Sequence, residues 1–133
     1  MLNQLVIILG WLALFFIIIT AIYHLLDLTI KGKLYDFLYK FHKVIEGLAI
    51  TCGFIHGYYM AYEGGLISGY FAWLILAWLL ISELFFKPKT PGPKWLGYIT
   101  ALIVMLVLFA LFHVYSALIG EPVIKIIDMI HTV

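Results

Sequence analysis

Two histidines occur in a strongly apolar part of the sequence, the segment HKVIEGLAITCGFIHGYYMAYEG, where His42 and His56 are fourteen residues apart. Fourteen residues of α-helix make nearly four turns, so both side chains project from almost the same face, about 21 Å apart along the axis. An ionisable group inside an apolar helix is a functional candidate, and imidazole binds metals and transfers protons. The spacing therefore predicts one helix that carries two functional levels.

The composition is that of a membrane protein. Of the 133 residues, 65% are hydrophobic and 11% are charged, which is far more apolar than an ordinary soluble domain. The chain contains eight lysines and seven carboxylates. This near-neutral charge balance argues against nucleic acid as a partner. The single cysteine, Cys52, excludes an internal disulfide and a C-x-x-C site. The expected partner is the lipid bilayer, and any redox chemistry must come from a bound cofactor.

Four apolar segments are long enough to cross a bilayer core of about 30 Å at about 1.5 Å per residue. The second segment ends at a Glu63-Gly64-Gly65 turn, and residues 120–133 have apolar residues at helical spacing behind a proline, which predicts a short interfacial helix. The expected fold is all-α: a single transmembrane domain, residues 1–133, forming a four-helix bundle with a short C-terminal interfacial helix. The four predicted spans are 3–28, 34–62, 66–86 and 95–119.

Lysines occupy the first and third of the connecting loops, whereas residues 62–69 contain none. By the positive-inside rule the two lysine-rich loops face the cytoplasm, and both termini then lie outside. We expect this topology in a prokaryotic inner membrane. The loop lysines are Lys31, Lys33, Lys87, Lys89 and Lys94.

Two further histidines match His42 and His56 in depth. His24 and His42 each lie about 10 Å inside the interface of the lysine-rich loops, while His56 and His113 lie at a similar depth below the opposite interface. Facing imidazoles inside a four-helix bundle are what a six-coordinate b-type haem requires. The two histidine pairs lie at two depths in the membrane, which would give space for two haems.

Small residues lie between the histidines of the second segment. Ala49 and Gly53 project within about 20° of His42 on a helical wheel with about 100° per residue. Small side chains allow a close approach to the backbone, so a flat macrocycle could lie against this face. We expect Ala49 and Gly53 to contribute to cofactor binding.

The motif His42-Lys43-x-x-x-Gly47 followed by His56 resembles the helix of di-haem membrane b-type cytochromes, the cytochrome b561-like and ferric-reductase-like transmembrane group. The resemblance covers the four-span bundle and the four intramembrane histidines. Gly47 departs from the pattern because it points away from His42 on the helical wheel, which suits helix packing better than haem contact.

The resemblance implies a function and a set of ligands. His24 and His42 would ligate one haem b iron, and His56 and His113 a second. Electrons would then cross the bilayer between quinone or quinol and a redox protein partner or larger complex. The chain has no arginine, so the resemblance implies that lysines would bind the haem propionates on the cytoplasmic side. These lysines are Lys33, Lys40 and Lys43.

Two carboxylates have several possible roles. Glu46, one turn after His42, could hydrogen-bond a ligand histidine, relay protons, contact a quinone or pair with Lys43. Glu83 lies near a lysine-rich loop and is expected to snorkel to the surface. The tyrosines Tyr58, Tyr59 and Tyr115 gather near the outer level, where either an aromatic belt or a quinone pocket would explain them.

Other function classes stay open. The chain could be a single-haem or cofactor-free anchor subunit of a respiratory complex, or a small four-span transporter that couples through Glu46. It has no Gly-rich phosphate loop, so as an enzyme it would be a quinone-linked oxidoreductase or the electron-transfer subunit of one. Metal-dependent hydrolysis is disfavoured because the carboxylates are not expected to join the histidines in one ligand set.

Overall fold

The computed structural model describes the backbone of residues 2–61 and 67–131 and the side chains of residues 4–60 and 69–119. Within these ranges the chain is helical and contains no strand, which confirms the predicted all-α fold. The turn predicted at 63–65 lies outside the described residues. The helices are α1 (Leu2–Leu28), α2 (Lys33–Ala61), α3 (Ile67–Ile81) and α4 (Pro93–His131), and a π-helical turn (Ser82–Phe86) extends α3.

The helix boundaries follow the predicted segments except at the C-terminal tail. α4 starts at Pro93, where a proline is favourable because the first helical N–H has no partner within the helix. It then runs without a break to His131, so residues 120–131, predicted to belong to a separate short helix, instead continue α4. Helical spacing predicts the helical state, but it does not say whether two helical segments join, and here the helix passes through Pro122.

In the part of the chain that the structure describes, three helical segments are long and apolar enough to cross a membrane: Gln4–Leu28, Gly69–Phe86 and Pro93–Ile119. Large apolar side chains cover their outer surfaces, among them Leu25 and Leu108, as expected of a lipid-facing surface. The chain is therefore an integral membrane protein. α2 is 29 residues long, but lysines and acidic residues crowd its first half, and its place as a fourth span stays a prediction.

The helices form a closed bundle in chain order. α1 packs against α2, α2 against α3, α3 against α4, and α4 back against α1. The middle of the bundle is an apolar core to which all four helices contribute, and polar side chains are buried on the side of this core that faces the lysine-rich loops. The core residues are Ile17, Ala49, Ala72, Leu76, Leu79, Ile99, Leu106 and Ala110.

Candidate functional site

Four ionisable side chains meet at the end of the bundle that carries the lysine-rich loops. His24 comes from α1, His42 and Glu46 from α2, and Glu83 from the π-helical turn after α3. None of the four is more than 8% exposed. Burying charge is unfavourable unless the groups are paired or bind an ion, so this His–Glu cluster is the leading candidate site.

Glu83 lies at the centre of the His–Glu cluster. Its Oε1 atom is 2.9 Å from Nε2 of His24, and its Oε2 atom is 3.5 Å from Nε2 of His42. Glu46 approaches the same nitrogen of His24, with Oε1 at 3.4 Å. The inner pair predicted from sequence, His24 and His42, is thus brought together through a carboxylate.

The orientation of His42 is fixed by two neighbours. Its Nδ1–H donates to the Tyr39 carbonyl oxygen at 2.7 Å, because a carbonyl can only accept. The Tyr23 ring stacks on the imidazole with centroids 4.2 Å apart and planes 11° apart. Nε2 of His42 is consequently the nitrogen directed at Glu83, and in a neutral imidazole it carries a lone pair.

Several buried oxygen atoms at this end lack a hydrogen-bonding partner among the described residues. They are Oε2 of Glu46, Oε2 of Glu83 and Oγ1 of Thr20. The contact of 3.5 Å between Glu83 and His42 is too long for a good hydrogen bond. Buried polar atoms are normally paired, so the cluster has unused capacity to accept a proton or a cation.

A cavity of about 270 Å³ lies beside the His–Glu cluster. Aromatic rings form part of its wall, and the lysines that line it are Lys31 and Lys87. Lys40 and Lys43, predicted to bind a cofactor, are exposed and do not line the cavity. They lie on the outer surface of α2, because their spacing from His42 places them on other faces of the helix. The lining residues are Tyr23, His24, Asp27, Lys31, Tyr35, His42, Glu83, Lys87, Pro91, Trp95, Leu96 and Ile99.

The outer pair predicted from sequence is also assembled. The rings of His56 and His113 have centroids 6.3 Å apart and planes at 87°. Nδ1–H of His56 donates to the Val6 carbonyl oxygen of α1 at 2.8 Å, which leaves the lone pair of a neutral ring on Nε2. Both rings lie against glycines, since a Cβ atom on Gly10 would be 2.6 Å from His56 and one on Gly69 would be 2.8 Å from His113.

The separation of the outer pair fits bis-histidine ligation. An imidazole nitrogen binds a metal at about 2.0 Å and the ring centre lies about 1 Å further away, so two axial rings have centroids roughly 6 Å apart. His56 and His113 have this separation. The hydrogen bond from Nδ1 of His56 to a backbone carbonyl is the support that a metal-ligating histidine usually has.

The inner pair does not fit a haem in this geometry. The Nε2 atoms of His24 and His42 both face the carboxylate of Glu83, which occupies the position between them. A porphyrin at this level would have to displace a buried glutamate.

The small-residue face of α2 is filled by protein. Ala49 is fully buried in the apolar core. The ring of Trp73 lies so close to Gly53 that a Cβ atom there would be 3.1 Å from it, and Trp73 Nε1–H donates to the Ile50 carbonyl oxygen at 2.9 Å. The space expected for a macrocycle at Ala49 and Gly53 is thus used for helix packing, because a tryptophan from α3 reaches across it.

The residues predicted to handle protons or quinone do not form one site. Glu46 belongs to the His–Glu cluster, whereas Tyr58 lies twelve residues further along α2, about 18 Å away at helical rise. Tyr59 and Tyr115 are also exposed, at 42% and 61%. Their placement favours the aromatic-belt interpretation.

Two expectations about carboxylates were wrong. Glu83 does not snorkel to the surface but is buried against the histidines, and the carboxylates do join the histidines in one set, His24, Glu46 and Glu83. The missed signal is periodicity, since Glu83 follows the buried residues Leu76 and Leu79 at helical spacing. That spacing places Glu83 on the core face, although its depth suggested the surface.

Comparison of the chain with protein-family models, with curated proteins and with solved structures finds no match. The class of protein is therefore defined by the fold, the His–Glu cluster and the outer histidine pair. The chain is a helical integral membrane protein with a buried His–Glu cluster at one level and a histidine pair at another.

Proposed function

We propose that the protein is a membrane electron carrier that holds one b-type haem between His56 and His113. The observation that carries this proposal is the ring separation of 6.3 Å between two histidines of different helices. Of the arrangements considered from sequence, the geometry favours the single-haem one, because Glu83 lies between the inner histidines.

A haem with two axial histidines accepts and releases single electrons. The chain's own residues would fix the ligands. The Val6 carbonyl accepts the hydrogen bond of Nδ1–H of His56 and so leaves Nε2 as the nitrogen that would bind the iron, while Gly10 and Gly69 allow α1 and α3 to approach the two rings. Such support sets ring orientation and basicity, and both influence the redox potential.

Quinone or quinol is the proposed exchange partner at the opposite level. The cavity at the lysine-rich end is lined by aromatic rings and by Lys31 and Lys87, which suits a flat, oxygen-bearing ring. Tyr35 OH donates to Asp27 at 2.8 Å, and Asp27 pairs with Lys31 at 3.7 Å. This chain of groups provides a proton path from the cavity wall to the surface.

The proposed topology places the lysine-rich loops in the cytoplasm and both termini outside, in a prokaryotic inner membrane. The two levels are about 20 Å apart along α2 at helical rise. In this proposal the protein exchanges electrons with quinone on the cytoplasmic side and with a redox protein partner on the outer side. This would make the chain a quinone-linked oxidoreductase or the electron-transfer subunit of one.

A spectroscopic experiment tests this function. Purified protein in detergent is expected to show one low-spin b-type haem per chain in reduced-minus-oxidised and pyridine haemochrome spectra. His56→Ala and His113→Ala should lose the haem, whereas His42→Gln should retain it. Two haems per chain, one of them lost in His42→Gln, would restore the two-haem arrangement. A colourless wild-type protein would reject haem binding and leave the cofactor-free anchor subunit and the Glu46 transporter.

A further inference from the structure

The His–Glu cluster has a donor set of its own that the outer histidine pair does not use. One nitrogen or oxygen atom from each of His24, Glu46 and Glu83 lies within 4.8 Å of the others. We propose that these three residues, with His42 beside them, bind a divalent first-row transition metal ion. This site is independent of the haem proposed at the outer level.

The distances between donors suit a small ion. Ligands at about 2.0–2.1 Å from a tetrahedral metal lie roughly 3.4 Å from one another. His24 Nε2 is 2.9 Å from Glu83 Oε1 and 3.4 Å from Glu46 Oε1. His42 Nε2 lies 3.5 Å from Glu83 Oε2, so each of these three His–Glu distances is close to the spacing of two ligands on one metal ion.

Neutral histidines cannot donate a hydrogen bond to every carboxylate oxygen of the His–Glu cluster. The N–H of a neutral His42 is used by the Tyr39 carbonyl, and its Nε2 lone pair then faces a carboxylate oxygen. A neutral His24 can place only one proton on Nε2, although two carboxylates approach that atom. The Oε2 atoms of Glu46 and Glu83 remain without a hydrogen-bonding partner among the described residues. A divalent cation would balance both carboxylates and use both lone pairs.

The donor types indicate which metal would bind. Imidazole nitrogens together with carboxylate oxygens suit zinc, iron and related first-row ions, whereas magnesium and calcium prefer oxygen ligands alone. His42 has the support typical of a ligand, a hydrogen bond from the distal nitrogen to a backbone carbonyl and a ring stacked on Tyr23. The cavity next to His24, His42 and Glu83 gives the ion a path to the site.

Zinc binding tests this proposal. Wild-type protein in detergent, stripped with a chelator, is titrated with Zn²⁺ by calorimetry and should bind one equivalent. Glu46→Gln keeps the shape of the side chain and is expected to weaken binding at least 100-fold, because it removes a charged ligand. X-ray absorption at the zinc edge should show only nitrogen and oxygen neighbours, at about 2.0–2.1 Å.

The controls separate this site from other parts of the chain. Asp36→Asn changes an exposed carboxylate of the same helix and should leave the Zn²⁺ affinity unchanged. His24→Gln serves as a second ligand variant if Glu46→Gln does not fold. Equal Zn²⁺ affinity in wild type and in the folded ligand variant, or a wild type that binds no Zn²⁺, would overturn the proposal. Haem content, measured on the same samples, reports separately on the function of the outer pair.

Discussion

His56 on α2 and His113 on α4 face each other with ring planes at 87°, and each ring lies against a glycine of a neighbouring helix. Gly10 of α1 contacts His56 and Gly69 of α3 contacts His113. The four helices therefore converge on one histidine pair. A Cβ atom at either glycine would press on one of the two rings, so the pair in this arrangement depends on both glycines.

Replacing Gly10 by alanine should disturb the outer pair. The new Cβ atom would be 2.6 Å from Cε1 of His56, closer than carbon atoms can approach, so the ring must move. In an exposed helix, alanine is more favourable than glycine by about 1 kcal/mol. The clash with His56 is expected to cost more free energy than this substitution gains. We expect Gly10→Ala to lower the unfolding temperature and to lose most of the haem absorbance per chain.

Gly47→Ala is the matched control, because nothing lies within 4 Å of a Cβ atom at this position. It should keep the haem and raise the unfolding temperature. Since Gly47 belongs to the sequence motif that resembles haem-binding helices, haem loss in Gly47→Ala together with retention in Gly10→Ala would contradict the packing described here.

Removal of the Glu83 carboxylate should destabilise the bundle. Glu83→Ala leaves Nε2 of His24 without the carboxylate oxygen that lies 2.9 Å from it, and an unsatisfied buried polar group costs about 1–3 kcal/mol. Glu83→Gln retains the volume and one acceptor oxygen, so its loss of stability should be smaller. Thermal unfolding in detergent, followed by circular dichroism, should show unfolding temperatures that fall in the order wild type, Glu83→Gln, Glu83→Ala. An Ala variant as stable as the wild type would show that the buried contacts do not contribute.

Trp73 is expected to contribute more to stability than the other tryptophans. Its ring packs on Gly53 and its indole N–H is bonded to the Ile50 carbonyl. Trp73→Ala should therefore cost about 3–5 kcal/mol, and Trp73→Phe, which loses mainly the hydrogen bond, about 1 kcal/mol. Trp11→Ala is the control, since Trp11 is 51% exposed. Denaturant or thermal unfolding of the three variants measures the difference, and similar losses for Trp11 and Trp73 would refute the packing role.

The two lysine-rich loops should lie on the same side of the membrane. Lys31 and Lys87 line one cavity, and the positive-inside rule predicts that this cavity faces the cytoplasm. In a Cys52→Ser background, Gly32→Cys and Gly92→Cys introduce thiols where a side chain meets no neighbour. A membrane-impermeant maleimide should label both only after the cytoplasmic side is made accessible. Labelling of both from outside would invert the topology, and labelling from opposite sides would contradict the bundle itself.

Helix positions and depths were readable from the sequence. Long apolar runs have few alternatives to helix in a bilayer, and the fixed rise per residue converts sequence spacing into depth. For this reason the sequence predicted that His24 would share a level with His42, and His56 with His113. The continuation of α4 through Pro122 was not predicted, because local spacing does not reveal whether two helical segments join.

Contacts between helices were decided only by the tertiary structure. Glu83 reaches His24 and His42 because α3 turns one particular face toward α1 and α2, and Trp73 fills the space beside Gly53 for the same reason. The rotation of each helix about its axis depends on how side chains from separate segments interlock. The sequence by itself determined a helical membrane protein with histidines at two depths. Interhelical packing decided that the Glu83 carboxylate lies between one pair and that the ring centroids of the other pair are 6.3 Å apart.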